Sequence, residues 1–365
     1  MFRIVMRILT TLFIIGMLSW IYAGNTAASE NIRVLLSDRQ TTVTLSSPSG
    51  LLIAGNASGR QGKKITIHSR SIGTSPMRIS AGSGFIQVNK KQYRGWIELQ
   101  KTKTGRLRII NDLNIEEYLK GVIASEIPHT WDPEALKAQA VASRTYALYQ
   151  KRMAGTRPYH VLATVKNQVY NGILSERPNA ITAVNDTRGL FLVYQGDVIP
   201  AFYHASCGGH TENAAELWNM DEPYLQGVSC GCQNISPLGV WKKTLKLSTV
   251  KNALKQKGYG VHAMEGMTIN SRTNAGRART IALDVVDTTV HVSGAVLRTA
   301  LGNTVIPSVF FDLELAENEA VFRGRGSGHG VGLCQWGAQE MASRGHNYFV
   351  ILSHYYPGTN LARME

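Results

Sequence analysis

Glu126 has a sequence environment that suits acid catalysis. The residues before it on the same face of a predicted helix are apolar: Ile115, Leu119 and Val122. Pro128 prevents the helix from continuing far beyond Glu126. Burial at the edge of an apolar face and the negative end of the helix dipole both disfavour a charged carboxylate. We therefore expect the pKa of Glu126 to be raised, as a general acid near neutral pH requires. A solvated glutamate that ends an ordinary amphipathic helix is the alternative.

Two basic residues, Lys137 and Arg144, lie on one face of a second predicted helix. Asp132 and Pro133 form a favourable N-cap and first-turn pair, so this helix is predicted from there to about Arg152. Arg144 lies among alanines and valine, which indicates a helix packed on most sides. Because a buried charge needs a partner, we expect Arg144 to contact an acid or the substrate. A solvent-exposed basic face is the alternative.

A glycine-rich segment near the end of the sequence has a composition that suits a sugar ligand. Six glycines fall between residues 324 and 337, where they permit tight turns and close approach of the backbone to a ligand. The lysine of a phosphate-binding loop is missing. His329, Gln335 and Trp336 instead offer an imidazole, an amide and an aromatic face. A structural turn ahead of a helix over 338–344 is the alternative.

Cysteine and histidine residues form a second candidate site. His204, Cys207 and His210 are spaced three apart, and Cys230 and Cys232 follow. These side chains are enough for a tetrahedral zinc site, which we expect to be structural rather than catalytic. The spacing matches no common zinc finger. In an exported protein, a disulfide from Cys207 to Cys230 or Cys232 is an alternative, and free thiols are another.

The elements that must position these residues indicate an α+β fold. Residues 31 to about 110 alternate polar and apolar positions in short runs, which predicts a β-rich N-terminal region. The two helices follow, and later strand-like runs are interrupted by helical patches near 248–257 and 294–301. We predict a mixed sheet core with a central helical pair that carries Glu126 beside a long substrate groove. The predicted division is a β-rich region over 29–110 and a catalytic domain over 111–365.

The first 28 residues have the pattern of an export signal. Arg3 and Arg7 precede an apolar run over 8–23, and small residues follow it. We expect either a cleaved signal or a retained membrane anchor, with the rest of the chain on the outer side of the cytoplasmic membrane. The formal net charge of +14 suits an anionic surface polymer such as cell-wall glycan, teichoic acid or lipid headgroups. Nucleic acid is not expected as a partner, because the chain is predicted to be exported and has no nucleic-acid motif.

Five segments of the sequence, taken together, carry a family resemblance. They are residues 114–128, 133–146, 203–213, 326–338 and 354–358. In this order they resemble the stage II sporulation protein D family, which includes the amidase-enhancer proteins. The resemblance implies a lytic transglycosylase of bacterial peptidoglycan, acting on glycan strands that an amidase has stripped of peptides. It implies cleavage of the β-1,4 bond between N-acetylmuramic acid and N-acetylglucosamine, which leaves a 1,6-anhydro end.

The resemblance also implies roles for individual residues. Glu126 matches the catalytic acid, and Lys137 and Arg144 match basic positions beside it. His329 and Gln335 match the loop that lines the groove, with Trp336 where tyrosine is usual in the family. Some relatives carry a metal near the motif that begins at His204, with ligands that vary. Cys334 stands where relatives usually have serine.

A single carboxyl group is enough for this chemistry. Glu126 would protonate the leaving oxygen and then accept the proton of the muramyl 6-hydroxyl as it closes on C1. A hydrolase would need a second carboxylate about 5–10 Å away, for which Glu212, Glu216 and Asp221 are candidates. The alternatives to a transglycosylase are a non-catalytic glycan-binding enhancer of a cell-wall amidase, a muramidase and a zinc amidase.

Overall fold

The structure is a computed structural model that describes residues 30–55, 60–262 and 264–364. The predicted signal or anchor over residues 1–28 lies outside the described residues. Among the residues that are described, no helix has both the length and the apolar composition needed to cross a membrane. The mixture of helices and sheets confirms the predicted α+β class.

Residues 31–114 form the β-rich region that the alternating sequence pattern predicts. Its strands, numbered in chain order, are β1 Asn31–Gln40, β2 Thr42–Ser46, β3 Leu51–Ile53, β4 Arg60–Gln61, β5 Lys64–His68, β6 Met77–Ala81, β7 Ile86–Val88, β8 Lys91–Tyr93, β9 Trp96–Lys101 and β10 Leu107–Asn114. One four-stranded sheet has the order β5-β2-β7-β8. A seven-stranded sheet contains the remaining strands and β11, Val161–Leu162, in the order β11-β1-β10-β9-β6-β3-β4.

Two helices follow β10 directly: α1, Ile115–Glu126, and α2, Pro133–Met153. At the start of α1, the Asn114 side chain accepts a hydrogen bond from the backbone N–H of Glu116. At the start of α2, the Asp132 side chain accepts one from the backbone N–H of Glu134. These caps satisfy backbone donors that have no partner within the helix. Both helices therefore begin and end where the sequence predicts, to within a residue.

The alanine-rich helix α2 lies between two hydrophobic cores. Leu136, Ala140 and Ala147 pack in the core beneath α1 and the N-terminal sheets. Ala138 and Val141, on another face of α2, belong to the core of the carboxyl-terminal half. Small side chains on both faces let the helix approach both cores closely, so the composition of α2 reflects burial on most sides.

The carboxyl-terminal half continues this framework with short strands and helices. Its helices are α3 Pro178–Asp186, α4 Ala214–Trp218, α5 Leu247–Gln256, α6 Gly294–Leu301, α7 Gln335–Ser343 and α8 Tyr348–Tyr355. Its strands are β12 Leu190–Tyr194, β13 Asp197–Val198, β14 Tyr203–His204, β15 Trp241–Lys246, β16 Met264–Arg272, β17 Ala278–Val285, β18 Thr288–Ser293, β19 Phe311–Ala316, β20 Glu319–Gly324, β21 Leu333–Cys334 and β22 Asn360–Arg363.

Residues 241–324 form a separate unit within that half. Two three-stranded sheets, β15-β20-β19 and β16-β17-β18, enclose a hydrophobic core of their own together with α5 and α6. The two helical patches predicted near 248–257 and 294–301 are these two helices. After this unit, β21 pairs in parallel with β14, so residues 333–334 lie beside residues 203–204.

Candidate active site around Glu126

Glu126 is the last residue of α1 and is half-buried. Its carboxylate oxygen Oε1 accepts a hydrogen bond of 2.6 Å from the backbone N–H of Val169. Burial raises the pKa of Glu126 to about 7, and the Val169 N–H opposes part of that rise by stabilising the carboxylate. The sequence-based expectation of a raised pKa agrees with this environment.

Three tyrosines lie close enough to Glu126 to interact with its charge: Tyr118 on α1, Tyr146 on α2 and Tyr203 on β14. Burial raises the pKa of each phenol, and the negative charge of Glu126 raises it further. The phenols therefore stay neutral near pH 7. Their hydroxyls are hydrogen-bonded to neighbouring side chains, so they surround Glu126 with aromatic rings whose polar groups are held in place.

Arg144 is completely buried and binds Glu116 rather than Glu126 or a substrate. Its Nε and Nη2 donate to the two carboxylate oxygens of Glu116 at 2.9 and 2.7 Å. The guanidinium also donates to the backbone oxygens of Leu190 and Val184. The expectation of an acidic partner is met, but the assignment of Arg144 to substrate binding is corrected, because no part of its side chain is exposed.

Lys137 is partly exposed and is held by two other carboxylates. Its Nζ donates to Glu134 Oε1 at 3.0 Å and lies 3.5 Å from Asp186 Oδ2. The hydrogen bond to Glu134 is the main cause of its raised pKa. Neither Lys137 nor Arg144 forms an ion pair with Glu126. The predicted contact of Lys137 with substrate stays a prediction.

The glycine-rich segment packs against the protein's own backbone. Gly326, Gly328, Gly330 and Gly332 all have positive φ, and a Cβ at Gly332 would lie 2.2 Å from the carbonyl oxygen of Phe202. Glycine is therefore required here for the close approach of two protein segments. The structural turn that was the alternative to a ligand-binding loop accounts for these glycines.

His329 is fixed by backbone partners on both ring nitrogens. Its Nε2 lies 3.0 Å from the carbonyl oxygen of Tyr203, and its Nδ1 accepts from the N–H of Val331 at 3.2 Å. This arrangement fits a neutral imidazole that donates through Nε2. Burial lowers its pKa to about 4, so the ring is uncharged at neutral pH. A substrate could therefore contact only the face or edge of the His329 ring.

Gln335 and Trp336 lie in the first turn of α7, which begins three residues earlier than predicted. The sulfur of Cys334 caps this helix by accepting from the N–H of Gly337. Gln335 is 6 % exposed and donates to Gln139 on α2, so its assignment to substrate binding is corrected. The Trp336 ring stays partly exposed.

Trp336 packs against Trp131, which lies in the loop between α1 and α2. Its ring lies 4.7 Å from that of Trp131, centroid to centroid, in an edge-to-face arrangement. Trp131 follows Glu126 by five residues. The predicted contact of Trp336 with substrate stays a prediction.

The cysteines form a compact cluster, with a membership that differs from the expected zinc ligands. The sulfur atoms of four buried residues lie within 4.8 Å of one another: Cys207, Cys230, Cys232 and Cys334. All four are free thiols, so neither disulfide alternative is present. His204 and His210 lie outside this group, and each directs Nδ1 at a backbone oxygen. Four cysteines, rather than a mixed cysteine and histidine set, can therefore hold a metal here.

Comparisons with known proteins agree with the motifs. Residues 103–194 match the family model described as "Stage II sporulation protein", and residues 233–332 match a domain of unknown function. Stage II sporulation protein D of Bacillus subtilis is 30% identical over 271 residues, which cover 70% of this chain and 76% of that protein. The chain belongs to the stage II sporulation protein D family. The unit with its own core, residues 241–324, lies entirely within the second match.

Two further relatives of this family member differ in how much of their length is covered. An uncharacterised protein of Brachyspira hyodysenteriae is 40% identical over 256 residues, which cover 69% of this chain and 68% of that protein. The "Amidase enhancer" of Bacillus subtilis is 33% identical over 288 residues, covering 67% of this chain. Only 40% of the amidase enhancer is matched, so the greater part of that protein has no counterpart in this alignment.

Two of the three candidate second carboxylates of this family member, Glu212 and Glu216, have structural partners. Glu212 is 1 % exposed, accepts from Thr273 Oγ1 at 2.5 Å and lies 3.5 Å from Arg277 Nη1. Glu216 pairs with Arg279 at 3.0 Å. In the part of the chain that the structure describes, no carboxylate contributes to the pKa shift of Glu126.

Three groups in this family member have structural roles that residue spacing did not predict. Glu116 is adjacent to Glu117 and lies ten residues before Glu126 on α1, and only the buried position of Arg144 indicated which acid is its partner. The Val169 N–H is a backbone group, so no side-chain pattern could reveal it. Cys334 lies far along the chain from the other cysteines, so its spacing gave no sign that it joins their cluster.

Proposed function

We propose that this protein is a lytic transglycosylase that cleaves the β-1,4 bond between N-acetylmuramic acid and N-acetylglucosamine in peptidoglycan glycan strands. The observation that carries the proposal is Glu126: a carboxyl group with a pKa raised to about 7 and no carboxylate partner among its described contacts. Such a group is protonated in a large fraction of molecules at neutral pH and can act as an acid. Membership of the family supports a cell-wall substrate.

The proposed reaction uses Glu126 twice. Its proton passes to the glycosidic oxygen as the bond from C1 to that oxygen breaks, and N-acetylglucosamine leaves with a free hydroxyl. The muramyl O6 then bonds to C1, and its proton passes to the Glu126 carboxylate, which restores the acid. No water is consumed, so a second carboxylate that activates water is not needed. The Val169 N–H would hold the carboxylate in place between the two steps.

A non-catalytic role is the second candidate, because one relative is named an amidase enhancer. In that case the protein would bind glycan and promote the action of a cell-wall amidase.

We also propose that an amidase prepares the substrate by removing stem peptides. Export, supported by the basic and apolar pattern of the first 28 residues, would place the protein on the outer face of the cytoplasmic membrane.

Mass analysis of digested glycan strands distinguishes these functions. Strands treated with an amidase are incubated with the protein, and the products are separated and weighed. We expect 1,6-anhydro ends, and fewer of them from strands that keep their peptides. Products heavier by one water would indicate a muramidase instead. Intact strands that co-sediment with the protein would support the non-catalytic role, and released peptides would support an amidase.

We further propose that the four-cysteine cluster holds a structural zinc ion. Four sulfur ligands suit tetrahedral zinc, and hydrogen-bond donors surround three of them. Cys334 Sγ accepts from the N–H groups of Cys207 and Gly337, and the hydroxyls of Tyr355 and Ser206 lie 3.2 and 3.6 Å from the sulfurs of Cys230 and Cys232. Such donors stabilise thiolates, which are the form that binds zinc. The ion would join the segments that carry Cys207, Cys230 and Cys334.

Metal analysis of the purified protein tests this ligand set. We expect about one zinc per chain in the wild type, as one tetrahedral site requires. Cys334→Ser should lose most of the metal and lower the melting temperature, whereas His210→Ala should keep it. Retention in Cys334→Ser together with loss in His210→Ala would restore the original mixed ligand set. A wild-type protein without metal, lighter by two hydrogens per cysteine pair, would show disulfides.

A further inference from the structure

The irregular segment after β11 presents one backbone N–H to Glu126. Residues 167–170 have no regular secondary structure, and Val169, in their middle, donates the 2.6 Å bond to Oε1. A loop amide can hold a carboxylate in place only if the loop itself is held. Asn167 and Tyr170 anchor the ends of the segment, through 2.9 Å hydrogen bonds to Tyr146 and Asn111 respectively.

Gln168, the residue next to Val169, is fixed more completely than either end. Its side chain is fully buried. Oε1 accepts from the hydroxyl of Tyr118 at 3.0 Å. Nε2 donates to the carbonyl oxygen of Ser143 and to the hydroxyl of Tyr203, both at 3.1 Å. The amide thus uses its oxygen and both its N–H groups on α1, α2 and β14, the three elements that also place tyrosines around Glu126.

We propose that Gln168 is a positioning residue for Glu126: by fixing the 167–170 segment, it holds the Val169 N–H against the carboxylate and so controls the orientation and proton affinity of the acid. Its importance for cleavage rests on the proposed function, whereas its effect on the Glu126 carboxyl does not. The hydrogen bonds described for the Gln168 side chain go to Tyr118, Ser143 and Tyr203, not to Glu126.

Two opposing influences on Glu126 determine the direction in which its pKa should change when Gln168 is replaced. Burial favours the neutral acid, and the Val169 N–H favours the carboxylate. Loosening Gln168 lengthens or breaks the Val169 bond and leaves burial unopposed, so the pKa should rise further above about 7. The titratable groups that face Glu126 from the surrounding elements are Tyr118, Tyr146 and Tyr203. Their raised pKa values keep them neutral in this range, so the titration belongs to the carboxyl.

Carbon-13 NMR of the glutamate carboxyl groups in the full chain tests the proposal. Glu126 is assigned by the signal that disappears in Glu126→Gln. Gln168→Met keeps the volume but removes all three hydrogen bonds of the amide. We expect it to raise the pKa of Glu126 by about half a unit to one unit, the scale of one lost hydrogen bond to a carboxylate. The alkaline limb of the pH–rate profile for glycan cleavage should move upward by the same amount.

Gln139→Met is the matched control. Gln139 is 1 % exposed and forms hydrogen bonds to Ser143 and Gln335, and neither of these bonds reaches the 167–170 segment. It should destabilise the protein comparably and leave the Glu126 titration in place. Tyr118→Phe removes a single hydroxyl from Gln168 and should give a smaller shift in the same direction, which keeps the test available if Gln168→Met fails to fold.

An unchanged Glu126 titration in folded Gln168→Met, or an equal shift in Gln139→Met, would overturn the proposal. In Tyr118→Phe, an unchanged titration would also count against it. The result of this titration does not depend on whether the protein cleaves glycan. If the wild type releases no anhydro product, the carboxyl titration still decides whether Gln168 positions Glu126.

Discussion

Replacing Glu126 by glutamine is expected to lower the rate of glycan cleavage about 10²- to 10⁴-fold, the usual contribution of general acid–base catalysis. The amide keeps the shape of the side chain but cannot deliver a proton to the leaving oxygen. Release of anhydro ends from amidase-treated strands is the measurement. Co-sedimentation with the same strands should change little, because binding does not need the proton. A variant that cleaves at the wild-type rate would remove Glu126 from the mechanism.

The pH dependence of glycan cleavage by the wild type should reflect the titration of Glu126. Glu126 must carry its proton for the first step, so cleavage should fall as the pH rises through about 7. Stability should follow the same dependence, because the folded pKa lies above the unfolded one of about 4.3. The stability linked to this proton is fully present below that unfolded value and is lost as the pH rises through about 7. The Glu126→Gln side chain does not ionise, so this variant keeps that stability and should be more stable than the wild type at pH 8 in denaturant unfolding.

Replacing Glu116 by glutamine is expected to destabilise the fold by about 3–5 kcal/mol, the cost of leaving a buried charge without its partner. The Arg144 side chain is completely buried and would keep its charge without a carboxylate. Glu116 also accepts from the N–H of Gly189, so the change releases a contact between α1 and the start of β12. Denaturant unfolding followed by circular dichroism measures the loss.

Asp197→Ala provides the matched control for Glu116→Gln. Asp197 pairs with Arg152, also on α2, but both side chains are more than half exposed. An exposed pair contributes about 0–1 kcal/mol, so this change should be close to neutral. Equal losses in the two variants would contradict the role assigned to the buried pair. Any loss of cleavage in Glu116→Gln should disappear at temperatures where the variant is fully folded.

Helix positions in this protein follow from local sequence. The caps at Asn114 and Asp132, the proline at position 133 and the apolar spacing along α1 are interactions between residues a few positions apart. Hydrogen bonds within one helix depend on such neighbours and on little else. The start of α7 was predicted three residues late for the same reason: its cap is the sulfur of Cys334, which is not a common capping residue.

Roles that depend on a distant partner were predicted less well. The alanine-rich surroundings of Arg144 indicated an acid or the substrate as its partner, and α1 offers three acids: Glu116, Glu117 and Glu126. Glu116 is the partner because it points into the interior of the same helix pair, whereas Glu126 lies at the end of α1 beside Val169. The glycine-rich segment likewise suited a ligand by composition, yet its glycines pack closely against other parts of the protein, as Gly332 does against the carbonyl oxygen of Phe202.

The sequence by itself determined that the chain is an α+β protein of the stage II sporulation protein D family with Glu126 at the end of a helix, because these features depend on residue spacing and short motifs. Tertiary structure alone decided the partners. Glu116 pairs with Arg144, the Val169 N–H binds Glu126, and the sulfur of Cys334 accepts from the N–H of Cys207, 127 positions earlier. The parallel pairing of β14 with β21 creates the last of these contacts. Spacing along the chain carries no record of such pairings, since they arise only when segments far apart in sequence bury their surfaces together.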